Sequence, residues 1–240
     1  MRVQVPAGSP WWVYAAADAA LTLHIGGGMA GLISGAVAAM APKGGRWHRR
    51  AGKVFVASML VMAGVGAVVA PLLPQRISIE AGIFTAYMVL SAWVTVRRGP
   101  ARLGTLEFAT IIAGVGSVAV AAWLIWIGSH SRLGTIDGQD YQPVFVFAAI
   151  GVLAVALDVR VLSHGGITGA PRVARHVWRI CLAFFVASTS LFLGQPRIFP
   201  MWLLQSGLLF VPALAPLGLL VFWMVRVRFG KRWLAGFVRP

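Results

Sequence analysis

Few residues in this chain have chemistry to offer, and they are unevenly placed. His24 is followed by Gly27, Gly31 and Gly35 at four-residue spacing, with Gly26 and Gly28 beside them. On a helix these positions share a face, and small residues at that spacing let a second helix approach closely. His24 lies about 16 Å along an apolar run counted from Val13, at 1.5 Å per residue. An imidazole at that depth either serves a ligand, cofactor or proton, or packs as a neutral ring against a neighbouring carbonyl. A second group is basic. Lys43-Gly44-Gly45-Arg46-Trp47-His48-Arg49-Arg50 precedes one apolar run, and Arg175-His176-Val177-Trp178-Arg179 opens another. Lys43, His48, Arg49, His176 and Arg179 read as an inner basic rim that attracts phosphate, carboxylate or anionic lipid head groups. Asp158 has Arg160, Arg175 and Arg179 as candidate partners, and Glu107 has Arg97, Arg98 and Arg102. Asp18, Gln195 and Arg197 outline a polar rim at the opposite, outer end.

Several chemistries lack their residues. There is no HExxH, no GxSxG elbow, no GxxxxGK[ST] loop and no carboxylate cluster. Cys181 is the single cysteine, so an internal disulfide, a Cys-cluster zinc site and an iron–sulfur site are excluded. No catalytic residue is assignable, and no metal site is expected. A bis-histidine haem would need a second histidine at the depth of His24, but His48, His164 and His176 fall at inner ends and His130 at an outer one. Met62 and Met88 reach comparable depth, so a His–Met haem b stays open, although methionine is usually core filler.

The elements that position these residues follow from hydropathy. The chain of 240 residues is 59% hydrophobic and only 11% charged, with a mean hydropathy of +0.82. A soluble domain carries about a quarter charged residues, so an ordinary soluble globule is excluded. A span needs roughly 20 mostly apolar residues. Seven stretches qualify, at about 13–40, 54–73, 77–96, 105–127, 143–162, 176–193 and 201–225. None alternates as a barrel strand would. The expected fold is therefore all-α, a single domain over 1–240 forming a bundle of seven transmembrane helices. The first apolar run is far longer than the 7–15 residues of a signal-peptide core and lacks a strongly basic start, so it is expected to remain as a span.

Orientation follows from charge. With the N-terminus outside and the C-terminus cytoplasmic, only Arg2, Arg76, Arg132 and Arg197 of the 21 lysines and arginines fall outside, as the positive-inside rule requires. The ten tryptophans fall at or near predicted span ends. The formal net charge of +15 thus reads as orientation and contact with anionic lipid, not as nucleic-acid binding. The expected location is the cell inner membrane, with membrane lipids, and a membrane-protein partner where the role is accessory.

The block His24-Ile25-Gly26 to Gly35, continued by Lys43-Gly44-Gly45-Arg46-Trp47-His48-Arg49-Arg50-Ala51-Gly52-Lys53-Val54-Phe55, resembles a prokaryotic membrane-protein family, the domain of unknown function 2306. So do His176 to Phe185, Ser190 to Gln195 and the closing Phe222-Trp223-Met224-Val225-Arg226-Val227-Arg228. The resemblance implies a multi-pass membrane architecture and marks His24, His48, His176, Arg179 and Gln195; it implies no activity. Three functions fit the residues: a small-ligand- or lipid-binding or transport bundle with a mid-membrane His24 site, an accessory or assembly protein without its own chemistry, and a haem-binding redox protein. Val54-Phe55-Val56-Ala57-Ser58 is echoed by Phe184-Phe185-Val186-Ala187-Ser188, which suits a parallel three-plus-one-plus-three repeat but also follows from an Ala/Val-rich composition.

Overall fold

The computed structural model of the chain describes residues 5, 8–99 and 103–230. Arg2, Arg102, Lys231, Arg232, Trp233 and Arg239, all counted in the charge or tryptophan argument, lie outside them. Helix α1 spans Trp11–Met40 and stops where Pro42 holds Ala41 extended (φ −68°, ψ 149°). A turn with Gly44 at φ +74° leads to extended Gly45 and α2, Arg46–Val69, which ends in a 3-10 turn at Ala70–Leu72. Helix α3 covers Arg76–Arg97 and α4 Thr105–Ser129; the Glu107 carboxylate accepts the Gly104 N–H at the start of α4. A hairpin follows, with β1 Thr135–Ile136 paired antiparallel to β2 Gln139–Asp140. Its two-residue turn holds Asp137 at φ 55° and Gly138 at φ 76°, the left-handed pair that an Asp-Gly hairpin turn demands. Helices α5 (Pro143–Ser163), α6 (Gly169–Phe192), α7 (Met201–Gln205) and α8 (Phe210–Phe229) complete the chain.

Three expected boundaries move. Helices α2 and α6 begin eight and seven residues before the apolar runs at 54 and 176. Arginine and lysine are good helix formers, but they lower hydropathy, so an apolar window misses these turns. The stretch at 201–225 is broken. Ser206 and Gly207, the latter at φ +72°, turn the chain between α7 and α8. The 20 residues of α8 still reach about 30 Å.

Helix α3 is the hub: α2, α4, α5 and α6 pack on it, while α1 lies along α2, α8 along α6, and α5 along α4. Its buried residues include Glu80, Phe84, Tyr87, Met88 and Ser91, and the main core joins Phe55, Met59, Phe84, Tyr87, Met88 and Ala183. Close approach needs glycine at Gly82, where a Cβ would stand 2.7 Å from the Ala63 carbonyl oxygen. The outer faces are apolar instead of polar, with Ile33, Ile112, Val152 and Val221 all exposed.

Among the described residues six helices are long and apolar enough to cross a membrane: α1, α2 with its 3-10 turn, α3, α4, α5 and α8. The architecture is that of an all-α, multi-pass membrane protein. Helix α6 has the length but carries Arg172, Arg175, His176 and Arg179. How the fold accommodates those charges defines the first candidate site.

Candidate functional site

One side chain on α5 gathers two from α6 and one from α3. Asp158 is buried, and its Oδ1 accepts Arg175 Nε at 3.1 Å, Arg175 Nη2 at 2.9 Å and Arg179 Nη2 at 2.5 Å. Its Oδ2 accepts the Tyr87 hydroxyl at 2.7 Å and Arg179 Nη1 at 3.0 Å. Arg179, 0% exposed, also donates to Ser91 Oγ at 2.6 Å and to the Ala154 carbonyl at 2.9 Å, and Arg175 donates to Thr95 Oγ1. The Arg179 guanidinium lies 5.3 Å from the centre of the Tyr87 ring and 4.9 Å from that of Trp178. Pairing and hydrogen bonds of this kind offset the cost of burying a carboxylate. Five donor contacts occupy its two oxygens, which leaves no open acceptor position for a ligand. The cluster is a clamp joining α3, α5 and α6.

Arg179 therefore does not stand on the inner rim where its sequence context had placed it. Spacing alone put it near the helix start, whereas α6 begins ten residues earlier and carries it down among its neighbours. Arg160 is exposed and takes no part in the pairing. Tyr87, Ser91 and Thr95 went unsingled in the sequence; four-residue spacing on an apolar helix is the signal they carry. Gly114 belongs with them, because a Cβ there would stand 2.7 Å from the Tyr87 ring.

The second candidate is a cavity of about 110 Å³ between α1, α2, α6 and α8. Its walls are almost wholly carbon, from Gly35, Phe55, Ile180, Phe184, Leu219 and Trp223, with Lys43, His48, His176 and Cys181 also on the lining. Gly35 lets the Phe55 and Phe184 rings, which meet edge to face at 5.8 Å, close on α1. Lys43 is spent: its three ammonium donors go to the carbonyls of Ala38, Ala39 and Ala41, which caps the exposed C-terminal end of α1. Burial lowers its pKa from the ordinary lysine value. His48 Nδ1 lies 3.0 Å from the Ala38 carbonyl oxygen, and His176 Nδ1 lies 3.1 Å from that of Ala92. A carbonyl only accepts, so each Nδ1 carries the proton, and among the described residues neither Nε2 has a hydrogen-bond partner. Cys181 is buried and free.

The remaining sequence-derived residues fall into place separately. Half-buried His24 lies against Gly66 and bonds through Nδ1 to the Met62 carbonyl at 2.8 Å. The Gly27–Gly31–Gly35 groove is filled: Ser58 and Met62 close on Gly27, Met59 on Gly31, and Phe55 with Phe184 on Gly35. Met62 also packs on Gly28, and Met88 is a core residue. Arg49 is exposed and donates to the Gly44 carbonyl at 2.6 Å. It shares the surface of α2 with exposed Arg46, Arg50 and Lys53. Gln195 and exposed Arg197 stand at a 3-10 turn, Pro196–Ile198, beyond the far end of α6. Glu107 pairs with Arg98 at 3.2 Å, and Arg172 Nε and Nη2 cap α3 through the carbonyls of Thr95, Val96 and Arg98.

Two further features lay outside the sequence reading. Asp137 in the hairpin turn grips Arg76 at the start of α3, with Nη2–Oδ1 at 2.7 Å and the Arg76 backbone N–H at 2.8 Å from Oδ2. The Arg76 hydrogen bonds hold the Asp137 carboxyl below the ordinary aspartate pKa. The Asp-Gly dipeptide was its legible signal. Glu80, 0% exposed, accepts Ser117 Oγ at 2.7 Å through Oε1. No three His, Cys, Asp or Glu side chains converge as a metal site among the described residues. No family model, curated protein or solved structure matches this chain.

Proposed function

We propose that the protein is a seven-span bundle of the bacterial inner membrane, N-terminus outside and C-terminus cytoplasmic, that binds a lipid or another small membrane-dissolved ligand. The observation that carries this reading is the apolar cavity bounded by Gly35, Phe55, Ile180, Phe184 and Trp223, with two imidazoles on its wall. A largely apolar concavity with a few convergent polar groups is the usual form of a ligand site. Of the stretches that resemble the domain of unknown function 2306, those over His24–Phe55, His176–Phe185 and Phe222–Arg228 contribute to this lining and Ser190–Gln195 does not; the proposal includes membership of that family.

Helix α6 counts as the seventh span because its charges have partners. Arg172, His176 and Arg179 bond to Thr95, Ala92 and Ser91 in turn, so α6 runs antiparallel to α3. With Asp158 facing Arg175 and Arg179, the segment need not expose a bare charge to lipid. Exposed Arg46, Arg49, Arg50 and Lys53 then form the face for anionic head groups, worth about 1 kcal/mol per residue near the surface.

Native mass spectrometry of the purified protein tests the binding, with Val177→Trp filling the cavity. A retained lipid or small molecule, lost in the variant, is the expected result; no bound species in the parent refutes the reading. Cysteines introduced at 129–141, in a Cys181→Ala background, should label from outside, and those at 43–50 should not. The reverse pattern would overturn the orientation.

A further inference from the structure

We infer that the cavity between α1, α2, α6 and α8 selects a single-ring aromatic lipid bearing hydroxyl groups, a hydroquinone or phenol head on an apolar tail, whose hydroxyls donate to Nε2 of His48 and His176. The inference rests on the ligand-binding reading above and names its ligand class.

Three observations converge on it. The first is the protonation pattern of the rings. Both Nδ1 atoms are committed to backbone carbonyls, those of Ala38 and Ala92, which can only accept. A neutral ring whose Nδ1 donates holds its lone pair on Nε2, so each ring offers one acceptor. Two acceptors call for a ligand with donors, which a quinone, an ester or a hydrocarbon does not have. The second is the charge inventory. Lys43 has its three donors on α1 carbonyls, and Arg175 and Arg179 are held by Asp158, so the lining supplies no uncommitted lysine or arginine for a phosphate or carboxylate head. The basic sequence around the site therefore does not make it an anion site. The third is size and wall. A cavity of about 110 Å³ is on the scale of one six-membered ring, since an engineered apolar cavity of about 150 Å³ takes benzene. Phe55, Phe184 and Trp223 supply aromatic surface for that ring. A bare metal ion would have His48 and His176 but no third ligand with them among the described residues.

The test uses the full chain in lipid nanodiscs and two probes, hexylhydroquinone and hexylbenzene, which share ring and tail and differ in the hydroxyls. Binding is read by tryptophan fluorescence, with concentrations expressed as mole fraction in the bilayer. The parent should bind hexylhydroquinone at least about tenfold more tightly, the usual scale for a hydrogen bond left unmade in a site built for it. His48→Asn and His176→Asn keep an N–H for the backbone carbonyl but remove Nε2. Each should lose most of that preference while binding hexylbenzene as before, which also shows that the variant is folded. Equal binding of both probes by the parent would overturn the hydroxyl inference and leave the apolar ligand site standing. Binding of neither probe, together with no small molecule retained on purification, would overturn both. A stoichiometric metal lost on either Asn substitution would replace the inference with a metal site.

Discussion

Replacing Asp158 by Asn removes one negative charge from a place where two positive charges depend on it. In the parent, Asp158 accepts both Arg175 and Arg179 as well as the Tyr87 hydroxyl, at 2.5–3.1 Å, with the acid 1% and Arg179 0% exposed. Asparagine keeps one acceptor oxygen but turns an NH2 toward donors. Two guanidiniums then share a buried site with no counter-charge. Breaking a buried ion pair from one side costs about 3–5 kcal/mol, and this variant should fall in that range. Arg175→Met should cost less, about 1–2 kcal/mol, because Asp158 and Arg179 remain as a neutral pair. The triple variant Asp158→Leu, Arg175→Met, Arg179→Met should recover much of the loss, since well-packed apolar side chains can replace a buried ionic cluster at little cost. The assay is SDS-induced unfolding in mixed micelles, followed by near-ultraviolet circular dichroism for all three variants and the parent. Asp158→Asn within about 1 kcal/mol of the parent would refute the clamp.

Gly82→Ala should destabilise by about 1–3 kcal/mol, because its Cβ meets the Ala63 carbonyl, while Gly64→Ala, with open space at its Cβ, should be neutral or slightly stabilising; parallel unfolding of the two variants checks this. Asp137→Asn should loosen the hairpin from α3, read as faster hydrogen exchange at the Arg76 amide that now donates to its carboxylate. In the parent, Asp137 has a lowered pKa, so its contribution is present above the unfolded value of about 3.9 and is lost as pH falls through the lower folded value. Protection at that amide that began to fade well above that range would contradict the assignment. His24→Leu removes the bond to the Met62 carbonyl and should cost about 1 kcal/mol, with no change in bound-ligand mass; loss of the ligand would move the site to the α1–α2 seam.

Membrane character, the helical class and the positions of the long helices were legible in the chain because bilayer thickness imposes a length on each apolar run, and that constraint acts locally. The glycine stripe of α1 was equally legible: four-residue spacing puts Gly27, Gly31 and Gly35 on one face whatever packs there. The partners of Asp158 were narrowed to three arginines by sequence proximity, but choosing Arg175 and Arg179 over Arg160 required knowing which sides of α5 and α6 meet. His48 and His176 looked like surface residues because each sits in a basic segment near an expected helix end. Basic segments reduce hydropathy without ending a helix, so the actual starts lay earlier, at Arg46 and Gly169, and both rings are half-buried against carbonyls of α1 and α3. Whether a basic side chain is free to hold a ligand is a question of its hydrogen bonds. Lys43 and Arg172 are occupied by the carbonyl ends of α1 and α3, and the two imidazoles keep an unspent nitrogen because Ala38 and Ala92 hold the other. Residue type and spacing set what each group is capable of; only the packing of helices distant in sequence decides which capacities remain.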